Sequence, residues 1–234
     1  MQALDVAAGK LNGQTVGRNA SELKIPGERS SKMSVSEIDT DYLVVGGGAT
    51  AMAFVDTLLT ETDARIAIVD RRHRPGGHWN DAYPFVRLHQ PSATYGVNSR
   101  ELGSWTKDEA GLNAGFYGLA SGLEVLNHFD QVMRERFLPS GRVRWLPMSE
   151  YREGPGGTHE ITSLASGDVA QIVVRKKLVN ATHAQTAVPS THPPKYAVAP
   201  GVNCIPPNRL PEIRRPHPAY TVVGSGKTGM DTCL

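Results

Sequence analysis

The residues best placed to do chemistry are Gly46, Gly48 and Ala51, which fit Gly-x-Gly-x-x-Gly/Ala within Gly46-Gly47-Gly48-Ala49-Thr50-Ala51. In that pattern the first glycine permits a tight turn and the second lets backbone approach a pyrophosphate. The small third residue lets helix and strand pack closely. The pattern alone is weak, so its context decides. Asp41-Tyr42-Leu43-Val44-Val45 precedes it as a short apolar run, expected to be a buried parallel strand. A helix from about Ala49 follows, with Met52, Val55, Leu58 and Leu59 at core-facing intervals. Its first N–H groups and its positive dipole end suit phosphate. Arg65-Ile66-Ala67-Ile68-Val69-Asp70 reads as a second strand, with Asp70 placed to accept hydrogen bonds from ribose hydroxyls. Strand, helix, strand makes a βαβ unit with a right-handed crossover. The competing readings are a glycine turn without a ligand and an acid that only caps or solvates a loop.

A second glycine cluster, Gly224-Ser225-Gly226-Lys227-Thr228-Gly229, follows the apolar run Tyr220-Thr221-Val222-Val223. Gly-Lys-Thr invites a phosphate-loop reading, but that motif needs a glycine where Thr221 stands. Gly-x-Gly-x-x-Gly fits without exception through Gly224, Gly226 and Gly229. The apolar run is expected to be a strand, with a helix opening near Met230.

Other elements must position these turns. Residues 71–121 are irregular and rich in Gly, Pro, Ser and aromatics, a length that a compact domain keeps mainly for a ligand. Helical periodicity returns from Gly122 to about Leu138 through Leu123, Leu126, Phe129, Val132, Met133 and Phe137, and Pro139-Ser140-Gly141 stops it. Arg142 to Leu146 is strand-like. The runs 159–164 and 170–174 flank Ser166-Gly167-Asp168 as a hairpin, and residues 178–182 suggest another buried strand. Residues 185–218 hold most of the prolines and read as an extended connection.

Composition narrows the function classes. At 234 residues, 39% hydrophobic and 21% charged, the chain suits one or two ordinary globular domains. A net charge of +2 gives no electrostatic case for nucleic acid or a membrane surface. No apolar run is long enough to span a bilayer. The two cysteines, Cys204 and Cys233, form no Cys-x-x-Cys, which excludes a zinc ribbon and a reactive dithiol of the usual spacing. Unpaired thiols point to the cytoplasm, and no metal site is expected. Residues 1–38 lack a signal-peptide core and read as a disordered leader, with Met33 as an alternative start.

The stretch after Asp70 carries a family resemblance. Arg74-Pro75-Gly76-Gly77-His78-Trp79 resembles the Gly-Gly-x-Trp segment of flavin-containing and Baeyer–Villiger monooxygenases. Tyr83-Pro84-Phe85-Val86-Arg87-Leu88-His89-Gln90-Pro91-Ser92-Ala93-Thr94-Tyr95 resembles the Tyr-Pro-Gly-x-Arg-x-Asp-x-Pro-Ser-x-x-Tyr segment of the Baeyer–Villiger group, with Phe85 for its glycine and His89 for its aspartate. The resemblance implies FAD at Gly46, Gly48, Ala49, Ala51, Asp70 and Arg71, with Gly77, His78, Trp79, Arg87 and His89 lining the cofactor. It implies NAD(P)H at Gly224, Gly226, Lys227 and Gly229. The implied fold is α/β: a Rossmann-like FAD-binding domain with a parallel sheet and a β-hairpin insertion over residues 39–184, a Pro-rich connection over 185–218, and the start of a second Rossmann NAD(P) domain over 219–234. The implied activity is hydride transfer from NAD(P)H to flavin, followed in the monooxygenase branch by oxygen activation. Residues 185–219 carry no clear counterpart of the family's His-containing connection, and no catalytic residue is assigned. The alternative expectation is a truncated, non-catalytic FAD- or nucleotide-binding fragment. A disulfide-reductase-like flavoenzyme ranks below both, for want of the dithiol.

Overall fold

The computed structural model describes residues 36–182 and 188–234. Most of the expected leader, including Met33, and the expected boundary at residues 184 and 185 lie outside the described residues.

The first apolar run forms β1 (Ser36–Val45), the helix after the glycines is α1 (Ala49–Glu61), and the second run is β2 (Ile66–Val69). β1 and β2 pair in parallel, with Val44 opposite Ile68. Leu43, Val44 and all four residues of β2 are buried, as strands covered on both faces must be. β1 begins at Ser36 rather than Asp41, so residues 36–38, expected in the leader, are strand. Ile38 is buried there, which anchors the extension.

Helix α2 (Gly122–Val132) starts at a capping box: the Ser121 hydroxyl accepts from the Glu124 backbone, and the Glu124 carboxylate accepts from Ser121 N–H. It continues as a π-turn over Met133–Phe137 and a 3-10 turn over Leu138–Ser140, then stops at Gly141, whose φ of +67° suits glycine. Val125, Phe129, Val132 and Phe137 are buried, whereas Leu123, expected on the core face, is 72% exposed.

Four more strands complete one sheet: β3 (Val143–Leu146), β4 (Ser149–Glu153), β5 (His159–Ser163) and β6 (Val169–Asn180). The order is β3-β2-β1-β6-β5-β4: β3 pairs in parallel with β2 and β6 in parallel with β1, while β6-β5-β4 pair antiparallel. The expected parallel sheet with a hairpin insertion is therefore present.

Two details differ from expectation. Residues 170–174 and 178–182 were expected as separate strands, but β6 runs unbroken across Arg175-Lys176-Lys177. Those charges stay in the sheet because they meet acids on β1: Arg175 Nε donates to Asp39 Oδ1 at 2.6 Å, and Lys176 pairs with Asp41 at 3.6 Å. β4 has no apolar pattern in sequence, since Glu150, Arg152 and Glu153 keep it polar, as suits a sheet edge.

The main core lies between the sheet and the helices, and the long 71–121 segment enters it through Trp79, Tyr83, Val86, Leu88, Val97, Leu102 and Ala120. A smaller core on the other side joins Ile38, Leu43, Ala67 and Val69 to Ile161 and Ile172. Burial of these side chains supplies the energy that holds an otherwise irregular segment in one shape.

Candidate functional site

The first glycine turn joins β1 to α1 as the sequence requires. Gly46 has φ of +101° and donates its N–H to Val69 O at 2.8 Å. A Cβ there would stand 2.9 Å from the Thr182 methyl, so Gly46 answers both to backbone shape and to close approach. Gly48 is the N-cap of α1 and Ala51, fully buried, sits in its first turn. Among the described residues no side chain caps this helix, and its first turn carries no acid. Its N-terminal donors and dipole end therefore remain open to an anion. Gly48 and Ala49 are half-buried at this end.

Asp70 follows β2 and is only 6% exposed. Its carboxylate accepts from Gly47 N–H at 2.5 Å through Oδ2 and from Arg72 N–H at 2.7 Å through Oδ1. Its own N–H donates to Leu146 O at 3.1 Å, and its carbonyl accepts from Ser149 N–H at 3.0 Å. Every polar atom of Asp70 is thus engaged, and it ties the glycine turn to the ends of β2, β3 and β4. A carboxylate has about four lone-pair directions, so capacity for a ribose hydroxyl remains.

The Gly76-Gly77 pair packs directly on this turn. Gly76 N–H donates to Gly47 O at 2.8 Å, and a Cβ on Gly77 would stand 2.9 Å from Gly48 Cα. Gly76 and Gly77 have φ of +118° and +55°, conformations that side chains resist. From Gly77 the chain enters a 3-10 turn, Gly77–Asp81. Arg72 braces that turn by ion-pairing with Asp81, and Arg74 donates to Asn80 Oδ1 at 2.7 Å. Of the Arg71 to Arg74 run, Arg71 and His73 are exposed.

Trp79 is 9% exposed, and its indole N–H donates to the Tyr95 hydroxyl at 2.7 Å. His78 stacks on it with ring centroids 5.5 Å apart. Burial lowers the His78 pKa below its usual value; the nearby Arg72 charge adds to this and Asp81 opposes it. Arg87 and His89 are exposed, alternating with buried Val86 and Leu88. The Arg87 guanidinium donates to Leu119 O at 2.9 Å, while His89 makes no hydrogen bond among the described residues. The structure therefore gathers Gly46, Gly48, Ala51, Asp70 and Gly77 in one place. It joins His78 and Trp79 to them through the 3-10 turn and leaves Arg87 and His89 on the surface of the loop.

The second glycine cluster forms the same local turn. Gly224 has φ of +131°, and Gly226 is the N-cap of α3 (Lys227–Cys233) with φ of −81°, against −79° at Gly48. A Cβ on Gly229 would collide with the Gly224 carbonyl oxygen, which accounts for the third glycine. The expected strand at residues 220–223 is absent, however: these residues are unpaired and exposed, with Val223 at 68%. A strand exists by pairing, and no neighbour lies beside this run among the described residues. Over residues 219–234 the described structure holds the glycine turn and α3, without the expected strand.

Sequence reasoning missed three contributors. Trp145 on β3 lies over the first turn, since a Cβ on Gly47 would meet its ring at 2.8 Å. Asp231 accepts a hydrogen bond from the Tyr83 hydroxyl at 2.7 Å and also pairs with Lys227. Asn208 donates its amide to Asp81 O at 2.9 Å. Only the Lys227–Asp231 spacing was visible in sequence, as an i,i+4 pair. Among the described residues no helix is long and apolar enough to cross a membrane.

Comparison with known proteins places the first turn in context. Residues 44–99 match the model of the NAD(P)-binding Rossmann-like domain. The chain is 48% identical over 217 residues to uncharacterised proteins of Mycobacterium tuberculosis and Mycobacterium bovis, a match covering 93% of this chain and 39% of theirs. It therefore spans well under half the length of those relatives. Similar solved structures include a flavin-containing monooxygenase from Stenotrophomonas maltophilia, at 19% identity over 62% of this chain and 38% of that one, with a TM-score of 0.45. Another is cyclohexanone monooxygenase from Rhodococcus sp. Phi1 bound to NADP+, at 21% identity over 63% and 26% of the two chains, with a TM-score of 0.45. Residues 44–99 are thus of the NAD(P)-binding Rossmann-like kind, in an α/β chain whose Gly77–Trp79 and Tyr83–Tyr95 segments resemble those of the two-dinucleotide flavoprotein monooxygenases.

Proposed function

We propose that the chain binds FAD at the first glycine turn and belongs to an oxidoreductase that draws electrons from NAD(P)H, of monooxygenase-like build. The observation that carries this reading is the apposition of two glycine segments, Gly46–Gly48 and Gly76–Gly77, over the uncapped N-terminus of α1. Backbone without side chains on both walls leaves room for a pyrophosphate, and the helix end supplies donors for it. Asp70 retains acceptor capacity for the adenosine ribose, beside the Trp145 ring. These residues fit the ADP half of FAD; bound there, the flavin would supply hydride acceptance and oxygen chemistry. The protein's own residues bind, orient and exclude water. The NAD(P)H site is proposed at Gly224, Gly226, Lys227 and Gly229 on the likeness of that turn to the first. Unpaired, exposed Cys204 and Cys233 fit a cytoplasmic setting.

The visible spectrum of the purified chain tests this reading. A flavin band that bleaches on NADPH addition is the expected result. A colourless protein that takes up no added FAD overturns it. A second reading, a nucleotide-binding unit without turnover of its own, is favoured by the unpaired residues 220–223. It predicts bound FAD that NADPH does not bleach.

A further inference from the structure

Tyr83 is 6% exposed and belongs to the main core, yet its hydroxyl reaches Asp231 Oδ2 at 2.7 Å, across 148 residues of sequence. Asp231 lies on α3 and pairs with Lys227 of the second glycine cluster, whose ammonium lies 6.0 Å from the Tyr83 ring centroid. Phe85 packs on the same ring, with centroids 4.8 Å apart. Two residues before Tyr83, the Asp81 carbonyl accepts from Asn208 Nδ2 at 2.9 Å and from Ser190 Oγ at 3.1 Å, both in the Pro-rich connection. At its other end the segment begins with Gly77 against Gly48.

From these contacts we infer that Tyr83 is a positioning residue that couples the two glycine turns. The path is continuous: Gly48 backbone, Gly77 backbone, the 3-10 turn Gly77–Asp81, the buried Tyr83 ring, the Asp231 carboxylate, and α3 with Lys227. Each step is a close backbone contact, a tight turn or a hydrogen bond, so motion at one end is passed on rather than absorbed. Among the described residues the Tyr83 hydroxyl's bond to Asp231 joins α3 to the core side chains, with the Lys227 ammonium over the same ring. Burial and the Asp231 carboxylate push the Tyr83 pKa up to about 12, so the phenol keeps its proton and remains a donor across the physiological range. A ligand that stills the first turn thereby stills the helix that carries Lys227, before any nicotinamide dinucleotide arrives. Coupling of this kind needs no new contact at the second turn. The inference rests on the proposal that FAD occupies the first turn.

Amide hydrogen exchange on the full chain tests it, with FAD as the probe. In the wild type, FAD should slow exchange at Met230 to Cys233 as well as at residues 76–82, each by about 5-fold or more. In Tyr83→Phe the slowing at 76–82 should persist and that at 230–233 should vanish. Asp231→Asn, which keeps an oxygen to accept from Tyr83 but loses the charge that holds Lys227, should retain the slowing at both places. Protection of α3 that survives in Tyr83→Phe, or that never appears in the wild type, overturns the coupling. If the chain takes up no FAD, the function reading fails and the Tyr83–Asp231 coupling is judged without ligand. Tyr83→Phe must then speed exchange at 230–233 and at 76–82 together, and acceleration of α3 alone overturns it.

Discussion

Gly77 and Gly48 meet backbone to backbone, so closely that a Cβ on Gly77 would stand 2.9 Å from Gly48 Cα. Two loops that are distant in function as motifs are therefore one structural object, and neither can change shape alone. Gly77 also holds φ of +55°. We expect Gly77→Ala to lose about 1–3 kcal/mol of stability from the left-handed backbone and the clash. FAD affinity should fall in parallel, because the displaced loop closes on the α1 end. Urea unfolding with FAD titration by fluorescence checks both. Unchanged affinity in a folded variant counts against a ligand between these loops.

Asp70 holds the turn from the other side. Asp70→Asn keeps one acceptor oxygen but turns its amide NH2 toward either Gly47 N–H or Arg72 N–H, a donor that then has no acceptor. The expected cost is about 1–3 kcal/mol, the usual penalty for a buried donor left without its acceptor. A denaturant midpoint equal to the wild type would show that these bonds are dispensable.

Asp56 is a buried charge that the function does not use. It is fully buried in α1, and it accepts from Ser99 N–H at 2.8 Å, Ser99 Oγ at 2.6 Å and Arg136 Nε at 2.6 Å. It thereby pins the middle of the long loop, at Ser99, and the π-turn to α1. Asp56→Ala should cost about 3 kcal/mol, at the low end for a broken buried pair because Arg136 is 37% exposed and regains water. Limited proteolysis should then cut near Ser99. A variant as stable as the wild type contradicts the pinning.

His128 makes stability depend on pH. It is 4% exposed, its Nε2 has no hydrogen-bond partner among the described residues, and burial holds its pKa below the usual 6.5, helped by the Arg100 charge and opposed by Asp56. Because the folded state binds the proton less well than the unfolded state, stability is complete above about pH 6.5 and falls as pH drops toward the lowered folded value. His78 is shifted in the same direction but is more open to solvent, so its share is smaller. The urea midpoint of the wild type should fall between pH 7 and pH 5, and His128→Leu should flatten that fall. An equal slope in the variant would locate the effect elsewhere.

The βαβ unit was legible because its signals are local. A buried strand needs a short apolar run, a helix needs apolar intervals, and a tight turn needs glycine. The apolar intervals through Leu126, Phe129 and Val132 announced α2 by the same logic, whereas its capping box emerged from the structure. The long strand β6 was not legible, since Arg175 to Lys177 interrupt its apolar run and the acids that accept them lie on β1. Residues 220–223 read as a strand from their side chains, yet a strand also needs a neighbour, and none stands beside them among the described residues.

For the site, the sequence by itself determined that Gly46 to Ala51 forms a glycine turn ahead of a helix and that an acid follows the next strand. Those properties belong to the backbone freedom and charge of single residues. Only the tertiary structure decided that Gly77 lies against Gly48, that Trp145 covers Gly47, and that Tyr83 reaches Asp231. Such contacts join residues far apart in the chain, so they depend on the path the packed core imposes on the long loop, which no local pattern encodes.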